Sequence, residues 1–432
     1  MNKRTKSKLI LLIIINMITL ACIITLSKGD INNNSNSDSI EHNWDWEYSG
    51  DTGDVLSVAI SGDGNYSVVG TRSNRVYLFN KTSMIPVWEY ETNGSVNDIA
   101  FAKNGTTFIV GCGNNNLFCF NISSSNPLWT FNTLGPILSV GISDKGSYSI
   151  AGSADDNLYF FNNSPGFKIP LWTYNSSGDV NSVAISSNGE YVVAGTENNQ
   201  TIFLNKTLSA LKKPIWNFTA NGAIKSTALS SNGSIIISGS EDQYIYVFNK
   251  SSSILKVPIW KYDCNGTINS LATNDTFISA GCENNLILFF NHTKPYHIFN
   301  YTADSSVRTV KLTHNAQNII AGTSSGRCYI LRGFNKSSRL LNSFFYDGNS
   351  INSIDASSSK NIFVVGKSNH LVYKVNYTEE LLLISNLLAG NSIRNFKMTP
   401  NAKNFFITRG NKVYFRDGFK LIAKSKTQGG QK

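Results

Sequence analysis

The sequence predicts an all-β protein in which one structural unit is repeated around a ring. A segment of about forty residues, a length typical of repeat architectures, returns along almost the whole 432-residue chain. Its strands are short and bounded by Asn, Gly or Ser, and helical periodicity is absent after residue 27. One unit cannot bury its apolar face alone, so each copy must pack on its neighbours. The nine copies begin at Val55, Val96, Ile137, Val180, Ile224, Ile268, Val307, Ile351 and Ile393.

Each copy predicts a four-stranded antiparallel meander. In the copy that begins at Val180, Asn188-Gly189 marks a tight turn between two β-branched runs. The polar run 197–199 separates the second strand from the third, and residues 215–218 supply a fourth strand that carries Trp216. Because radially repeated four-stranded units form a β-propeller, we expect a single propeller over residues 44–423.

The blade count and the closure of the ring follow from the ends of this region. Nine copies exceed the usual range of about four to eight blades, so the sequence leaves eight or nine open. A lone strand of the fourth type, Trp44 to Tyr48, precedes the first complete copy and is suited to complete the last blade. Residues Phe419 to Ala423 compete for that role, and a basic tail, residues 424–432, follows.

The repeated motif resembles those of known propellers. The pattern V-x-x-V-A-x-S-x-[DN]-G, then V-V-[AV]-G-[ST], then a strand with two fixed final residues, resembles the WD repeat. Those two residues, Trp-Asp in that family, are here Phe79-Asn80 or Phe161-Asn162, and the family's Gly-His pair is missing. The Trp of the fourth strand is equally similar to quinoprotein-like (PQQ-like) repeats. The resemblance covers roughly residues 44–417 and implies a divergent propeller, but a fold alone does not define a function.

The first 28 residues differ from the rest. Basic residues, including Lys3 and Arg4, precede an uncharged apolar run over residues 9–26, which as a helix would be about 27 Å long against a hydrocarbon core of roughly 30 Å. This predicts a signal-anchor helix with a cytoplasmic N-terminus, a polar tether over residues 29–43 and an exported propeller in the cell membrane. The alternative is a signal peptide cleaved near Gly29, which would give a secreted protein.

Asparagine sequons recur at one place in the repeat. N-x-[ST] falls where the third strand ends, which predicts N-glycosylation if the domain is exported. The alternative is that Asn is simply a favourable residue at strand ends. The predicted sites are Asn80, Asn121, Asn162, Asn205, Asn249, Asn291, Asn335 and Asn376.

The opposite end of the blades predicts a docking face. In an antiparallel meander the second-to-third turns lie away from the sequons, so glycans would leave them accessible. These turns are acidic in the third to sixth copies and basic from the seventh round to the first, a split able to orient a partner. The alternative is ordinary polar hairpin tips. The residues are Arg72, Arg75, Asp155, Asp156, Glu197, Glu241, Asp242, Glu283, Arg327, Lys367 and Arg409.

Catalytic and metal-binding patterns are missing from the sequence. The six cysteines include no C-x-x-C, and the five histidines are scattered, so no metal site is predicted. In an exported domain Cys112 with Cys119, and Cys264 with Cys282, are candidate disulfides, and buried free thiols are the alternative. The quinoprotein resemblance implies a possible redox enzyme, but the adjacent Cys-Cys pair that holds the quinone in that family is absent.

The net charge of +10 is not a property of the predicted ring, because it is concentrated in the leader and beyond residue 393. An exported chain also meets little nucleic acid, so no nucleic-acid partner is expected. We therefore expect a membrane-tethered, non-catalytic binding platform without a cofactor, whose partner is another envelope protein or a surface glycan. The alternatives are a quinoprotein-like redox enzyme and a self-assembling structural component of the envelope.

Overall fold

A computed structural model of the chain describes its repeated region. The described residues are 46–49, 55–83, 85–164, 169–209, 211–251, 256–312, 318–325, 327–332, 340–344, 351–356, 362–367, 371–376, 380–386, 393–399, 404–409 and 412–417. The predicted anchor, tether and tail, and the competing strand Phe419 to Ala423, lie outside them. Within these residues no helix is both long and apolar enough to cross a membrane.

The described strands form nine four-stranded antiparallel sheets, here called blades 1 to 9. Strand β1 is Trp46–Ser49. Blade 1 contains β2 (Val55–Ile60), β3 (Tyr66–Thr71), β4 (Arg75–Asn80) and β5 (Trp88–Glu91). Blade 2 contains β6 (Val96–Phe101), β7 (Thr107–Cys112), β8 (Asn116–Asn121) and β9 (Trp129–Asn132). Blade 3 contains β10 (Ile137–Ile142), β11 (Tyr148–Ser153), β12 (Asn157–Asn162) and β13 (Trp172–Asn175).

The middle blades repeat the same order. Blade 4 contains β14 (Val180–Ile185), β15 (Tyr191–Thr196), β16 (Gln200–Asn205) and β17 (Trp216–Thr219). Blade 5 contains β18 (Ile224–Leu229), β19 (Ile235–Ser240), β20 (Tyr244–Asn249) and β21 (Trp260–Asp263). Blade 6 contains β22 (Ile268–Thr273), β23 (Phe277–Cys282), β24 (Leu286–Asn291) and β25 (His297–Thr302).

The last three blades complete the ring. Blade 7 contains β26 (Val307–Leu312), β27 (Asn318–Thr323), β28 (Cys328–Arg332) and β29 (Leu340–Phe344). Blade 8 contains β30 (Ile351–Ala356), β31 (Ile362–Lys367), β32 (Leu371–Asn376) and β33 (Glu380–Asn386). Blade 9 contains β34 (Ile393–Met398), β35 (Asn404–Arg409), β36 (Lys412–Asp417) and the N-terminal strand β1.

These sheets confirm the predicted meander and settle the count at nine blades. The first strand of every blade begins at the residue that begins a sequence repeat. These first strands contact one another in sequence, and β34 of blade 9 contacts β2 of blade 1, so they form a closed inner circuit. Strand β1 pairs with β36, which confirms that the lone N-terminal strand completes the last blade.

The core lies in layers between adjacent blades. The Trp that opens a fourth strand packs on the penultimate Phe of the third strand in the next blade. The ring centroids of Trp129 and Phe161 are 4.4 Å apart, and those of Trp216 and Phe248 are 4.9 Å apart. All four side chains are buried. The Phe-Asn strand ends and the recurring tryptophans are therefore structural.

Hydrogen bonds also join neighbouring blades close to the inner circuit. The third residue of the first strand accepts the amide N–H of the fourth residue in the next blade. Ser57 Oγ accepts from Ile99 N at 3.1 Å, and Asp98 Oδ2 accepts from Val140 N at 2.9 Å. The pairs Ser139 with Val183, Ser182 with Thr227 and Ser270 with Val310 repeat this contact. A short polar side chain at this position thus latches each of these blades to the next.

Candidate binding face

The two ends of the blades are distinct surfaces, as the meander requires. At one end, the N–H of Glu197 donates to Asp179 O and the N–H of Ala220 donates to Asn199 O. These bonds bind each second-to-third turn to the loops that connect successive blades, and we call this end the turn face. At the other end, the N–H of Lys206, just after the sequon Asn205, donates to Glu190 O in the first turn. We call this end the sequon face.

The turns of the turn face have a repeated backbone conformation. Their third residue lies in the left-handed region, with φ of 64° at Asn74, 72° at Asn115 and 74° at Asn199. Asn is one of the few residues other than Gly that accepts this conformation at low cost. The carbonyl of this residue accepts the N–H of the residue that follows the fourth strand of the same blade. The side chains of these turns are consequently held on a rigid backbone.

Two of the predicted docking residues have a structural role. Asp155 Oδ2 accepts the Leu134 N–H at 2.8 Å and the Tyr159 hydroxyl at 2.7 Å. Asp242 Oδ2 makes the equivalent contacts with Asn221 N and with the Tyr246 hydroxyl, at 2.8 and 2.6 Å. Burial acts to raise the pKa of Asp155, but the hydrogen bonds from Tyr159 and from Leu134 N outweigh it and lower that pKa.

The same turn position braces other blades as well. The amides of Asn114, Asn198 and Asn284 occupy this position and donate to Thr92 O, Ser176 O and Cys264 O in the preceding connecting loop. Asp155 and Asp242 are therefore blade-to-blade braces, and the expectation that they also bind a partner stays a prediction. The sequence could not show this bracing role, because their partners are backbone N–H groups of another repeat.

Three exposed carboxylates remain on consecutive blades, and we call them the acidic arc: Glu197, Glu241 and Glu283. Each occupies the first position of its turn and is exposed. Lys225 lies between the first two, with Nζ 3.0 Å from Glu241 Oε1 and 3.3 Å from Glu197 Oε2. Hydrogen bonds from Asn181 and, to a lesser degree, Lys225 lower the pKa of Glu197.

Glu283 has different partners. Its Oε2 accepts hydrogen bonds from Asn269 Nδ2 and Ser306 Oγ, both at 2.8 Å. These bonds, with the charge of Arg308, lower its pKa. The carboxylates of Glu197, Glu241 and Glu283 are consequently held in place by side chains of the turn face.

The predicted basic residues are partly neutralised within the fold. Arg75 Nη1 lies 3.0 Å from Glu89 Oε1, and Arg327 Nε lies 3.6 Å from Asp304 Oδ2. Arg72 is exposed at its turn. Lys367 and Arg409 end β31 and β35, and their side chains are outside the description. Asp156 contributes its carbonyl, which accepts from the N–H and hydroxyl of Ser176. The partner-orienting charge split stays a prediction.

The sequon asparagines end third strands, as expected. Asn80 Oδ1 accepts from the N–H and hydroxyl of Thr82, at 3.0 and 2.9 Å, and Asn291 makes the same pair of contacts with Thr293. This geometry shows that Asn is a good turn residue here, and it does not test glycosylation. Asn121, Asn162, Asn205 and Asn249 also end their strands, as does Asn376, and Asn335 lies outside the described residues.

The sequon face also carries exposed apolar side chains, which the sequence analysis did not identify. Most lie in the third-to-fourth connections, often beside the Pro of an [IV]-P-[VLI]-W motif, whereas Ile298 lies within β25. Leu134, by contrast, is exposed on the turn face. The exposed apolar residues of the sequon face are Ile85, Val87, Ile169, Leu208, Leu211, Val257, Ile259, Tyr296 and Ile298.

The four described cysteine side chains are free thiols. Cys112 packs in the layer between blades 1 and 2, whereas Cys119 packs in the layer between blades 2 and 3. They lie on opposite faces of one sheet, so the structure contradicts the suggested Cys112–Cys119 bridge. Cys264 and Cys282 share one layer, and the interaction with Cys282 raises the pKa of the Cys264 thiol. Their pairing stays a prediction.

The described residues contain no cluster of three or more His, Cys, Asp and Glu side chains able to hold a metal ion. The fold and the turn face define a class of protein: a repeat-built β-propeller with charged turns on one end of the ring.

Comparison with known families supports this class. The family described as outer membrane protein assembly factor BamB, of PQQ-like repeats, matches residues 41–166. The WD domain, G-beta repeat family matches residues 168–204 and 212–249. The resemblance seen in the sequence is thus confirmed for both repeat types. No curated protein matches the chain.

Solved structures show the same fold. The C-terminal WD40 domain of Sif2 is similar with a TM-score of 0.61 at 12% identity, over 86% of this chain and 97% of that one. The Dos1 propeller gives a TM-score of 0.58 at 13% identity, over 87% and 95% of the two chains. The computationally designed Ika8 protein gives 0.59 at 12%, over 86% and 98%. At these identities the likeness concerns the fold alone.

Proposed function

We propose that this protein is a non-catalytic platform that binds a protein partner on its turn face. WD40 propellers generally bind other proteins, which supports a protein over a glycan as the ligand class. The observation that carries the choice of face is the acidic arc, three exposed carboxylates presented on consecutive blades by rigid turns. The partner that such a surface fits has a basic segment long enough to reach from blade 4 to blade 6.

The arrangement of charges gives this surface selectivity. Lys225 interrupts the arc between Glu197 and Glu241, so a partner must place a gap or an acid opposite it. Complementary charges of this kind speed association and reject wrong registers more than they add affinity. We place the platform outside the cell, tethered by residues 9–26, and the apolar run and the sequons support that location. Its partner would then be another envelope protein.

Photo-crosslinking in the native cell tests the choice of face. A photoreactive phenylalanine at Asn221 reports on the turn face, and one at Leu208 reports on the sequon face, where the exposed apolar residues offer a rival surface. We expect one discrete protein adduct from Asn221 only, lost when Glu197, Glu241 and Glu283 are changed together to Gln. Adducts from Leu208 alone, or an Asn221 adduct that survives the triple change, would show the assignment to be wrong.

The location and the alternatives have separate tests. Glycopeptide mass spectrometry at Asn80 and Asn121, with sequencing of the N-terminus, distinguishes an exported anchored protein from one whose sequons are only turns. Metal-dependent dye reduction by the purified protein would favour a quinoprotein-like redox enzyme. Light scattering that shows ordered self-assembly without another protein would favour a structural envelope component.

A further inference from the structure

The inner circuit carries a pattern that the proposed platform does not use. The fifth residue of the first strand is Ala or Gly in blades 1 to 6. In blades 7, 8 and 9 it is Lys311, Asp355 and Lys397. In blades 1, 2, 3, 8 and 9 the fifth residue of the first strand borders the same cavity. This position therefore faces the axis of the ring. Three consecutive blades thus place charges where the others have small side chains.

The cavity on the axis has a volume of about 430 Å³, within the range of small-molecule sites. Its wall is partly apolar and partly polar: Ile60, Phe101, Ile142 and Met398 are apolar, while Asp355 and Lys397 supply charge at one side. Ser61, Gly62 and Lys103, at the first-to-second turns, form its mouth on the sequon face. Lys103 is already paired there with Asp144 at 2.9 Å.

The acids of this region accept hydrogen bonds, whereas the ammonium groups interact with Asp98 and Asp355 only through charge. An Asp355 carboxylate oxygen accepts Met398 N at 3.0 Å, and Asp98 accepts the N–H groups of Ile99 and Val140. Among the described residues, neither Lys311 nor Lys397 forms an ion pair or a side-chain hydrogen bond. Burial and the charge of Lys397 lower the pKa of Lys311, and Asp355 opposes that effect. A half-buried cation with no direct hydrogen bond or ion pair costs free energy, which a bound anion offsets.

We propose that the axial cavity binds a small organic acid. Its carboxylate contacts the Lys397 ammonium, and Lys311 adds a second positive charge nearby. Its short aliphatic or aromatic body packs against Ile60, Phe101 and Met398. Inorganic phosphate fits less well because it has no apolar part, and a neutral alcohol leaves the ammonium groups unpaired. This site lies on the axis and is separate from the acidic arc.

Calorimetric titration of the purified full chain with hexanoate tests this site. Hexanol and inorganic phosphate are the control ligands, because hexanol lacks the carboxylate and phosphate lacks the apolar chain. We expect hexanoate to bind at least about tenfold more tightly than either, since one charge-assisted contact is worth roughly 1.5–3 kcal/mol. Lys397→Ala, which introduces the residue that blades 1, 2, 4, 5 and 6 have at this position, should lose about tenfold in hexanoate affinity.

Two further variants distinguish a specific binding site from nonspecific binding of anions. Lys206→Ala removes an ion-paired lysine of the sequon face that does not border the cavity, and it should leave hexanoate affinity unchanged. Asp355→Ala removes the negative charge beside the proposed carboxylate and should raise the affinity. Thermal unfolding of each variant confirms that the ring is intact. Equal binding of hexanol or phosphate, or full hexanoate affinity in Lys397→Ala, would overturn the proposal.

Discussion

The backbone of Trp46 pairs with that of Phe415, so the first described strand of the chain is the outer strand of its last blade. The register continues through Tyr48 and Val413 to Ser49 and Lys412. Blade 9 therefore depends on both ends of the repeated region.

Deleting residues 46–49 should open this closure. The deletion removes the hydrogen-bonded ladder between β1 and β36, so we expect a loss of about 2–4 kcal/mol in the free energy of unfolding. Urea denaturation measures the loss, and hydrogen exchange should show that β36 amides lose protection first. Deletion of residues 424–432 is the control and should change neither quantity. A four-residue deletion that leaves the urea midpoint unchanged would contradict a structural role for β1.

Adjacent acids in one turn should respond differently to substitution. Asp242→Ala removes the acceptor of the Asn221 N–H and of the Tyr246 hydroxyl, so we expect destabilisation by about 1–3 kcal/mol. Glu241→Ala removes only an exposed contact with Lys225 and should cost less than about 1 kcal/mol. Chemical denaturation of both variants gives the comparison. Equal losses would mean that Asp242 is not the brace that its contacts indicate.

Asp98 should make stability depend on pH in an unusual direction. Burial raises its pKa from 3.8 to about 6, against the hydrogen bonds from Val140 N and Ile99 N and the charge of Lys397. The folded state therefore binds the proton more tightly than the unfolded state, and the contribution to stability is lost as pH rises from about 4 to 6. A shift of this size corresponds to about 3 kcal/mol.

The matched variant is Asp98→Ser, because a serine, Ser57, occupies the equivalent position in blade 1 and accepts the same hydrogen bond from the next blade. Relative to the wild type, this variant should gain up to about 3 kcal/mol in unfolding free energy between pH 4 and pH 7. Because other carboxyls titrate equally in both proteins, urea denaturation of the pair isolates this group. A difference that does not vary with pH would show that Asp98 titrates normally.

The two pairs of cysteines should behave differently toward oxidants. Treatment with a small-molecule disulfide should join Cys264 to Cys282, with loss of one hydrogen from each thiol as the reagent is reduced to its thiols. The hydrogen bond with Cys282 and burial raise the pKa of the Cys264 thiol, so the reaction should be slow at neutral pH. The bridge closes a loop of about 18 residues and should add up to about 3 kcal/mol to stability.

Peptide mapping under non-reducing conditions identifies the products of this oxidation. Cys112 and Cys119 should remain free, because they lie in different layers, and Cys282→Ser should abolish the crosslink. A Cys112–Cys119 peptide, or no product joining Cys264 to Cys282 after prolonged oxidation, would contradict the packing described above.

The strands and their order could be predicted from the sequence because the same pattern occurs in nine copies. The starts of the inner strands at Val180 and its equivalents, the meander and the N-terminal strand were all predicted. The roles of Asp155 and Asp242 were not, because their partners are backbone groups in a neighbouring repeat. A single acidic residue at a hairpin tip has the same sequence signature whether it braces a loop or faces solvent.

The axial charges at Lys311, Asp355 and Lys397 were missed for a different reason. Their signal is visible when the nine repeats are aligned, since six copies have Ala or Gly at that position. Which of the alternating residues of a strand faces the axis depends on the irregular pairing near the start of each first strand, such as the shift between Val180 and Ser182. That register is a property of the folded blade.

Because β1 pairs with β36, blade 9 cannot be completed until translation has reached the end of the repeated region. The strand that completes the circle leaves the ribosome before any blade exists, and its pairing strand is made after the other eight blades. Until then the growing protein is an open arc with one uncovered apolar sheet face at each end. Translation that stops short of residue 412 would leave β1 without its pairing strand and the face of blade 1 uncovered, so an incomplete chain is distinguishable from a finished one by its exposed apolar surface.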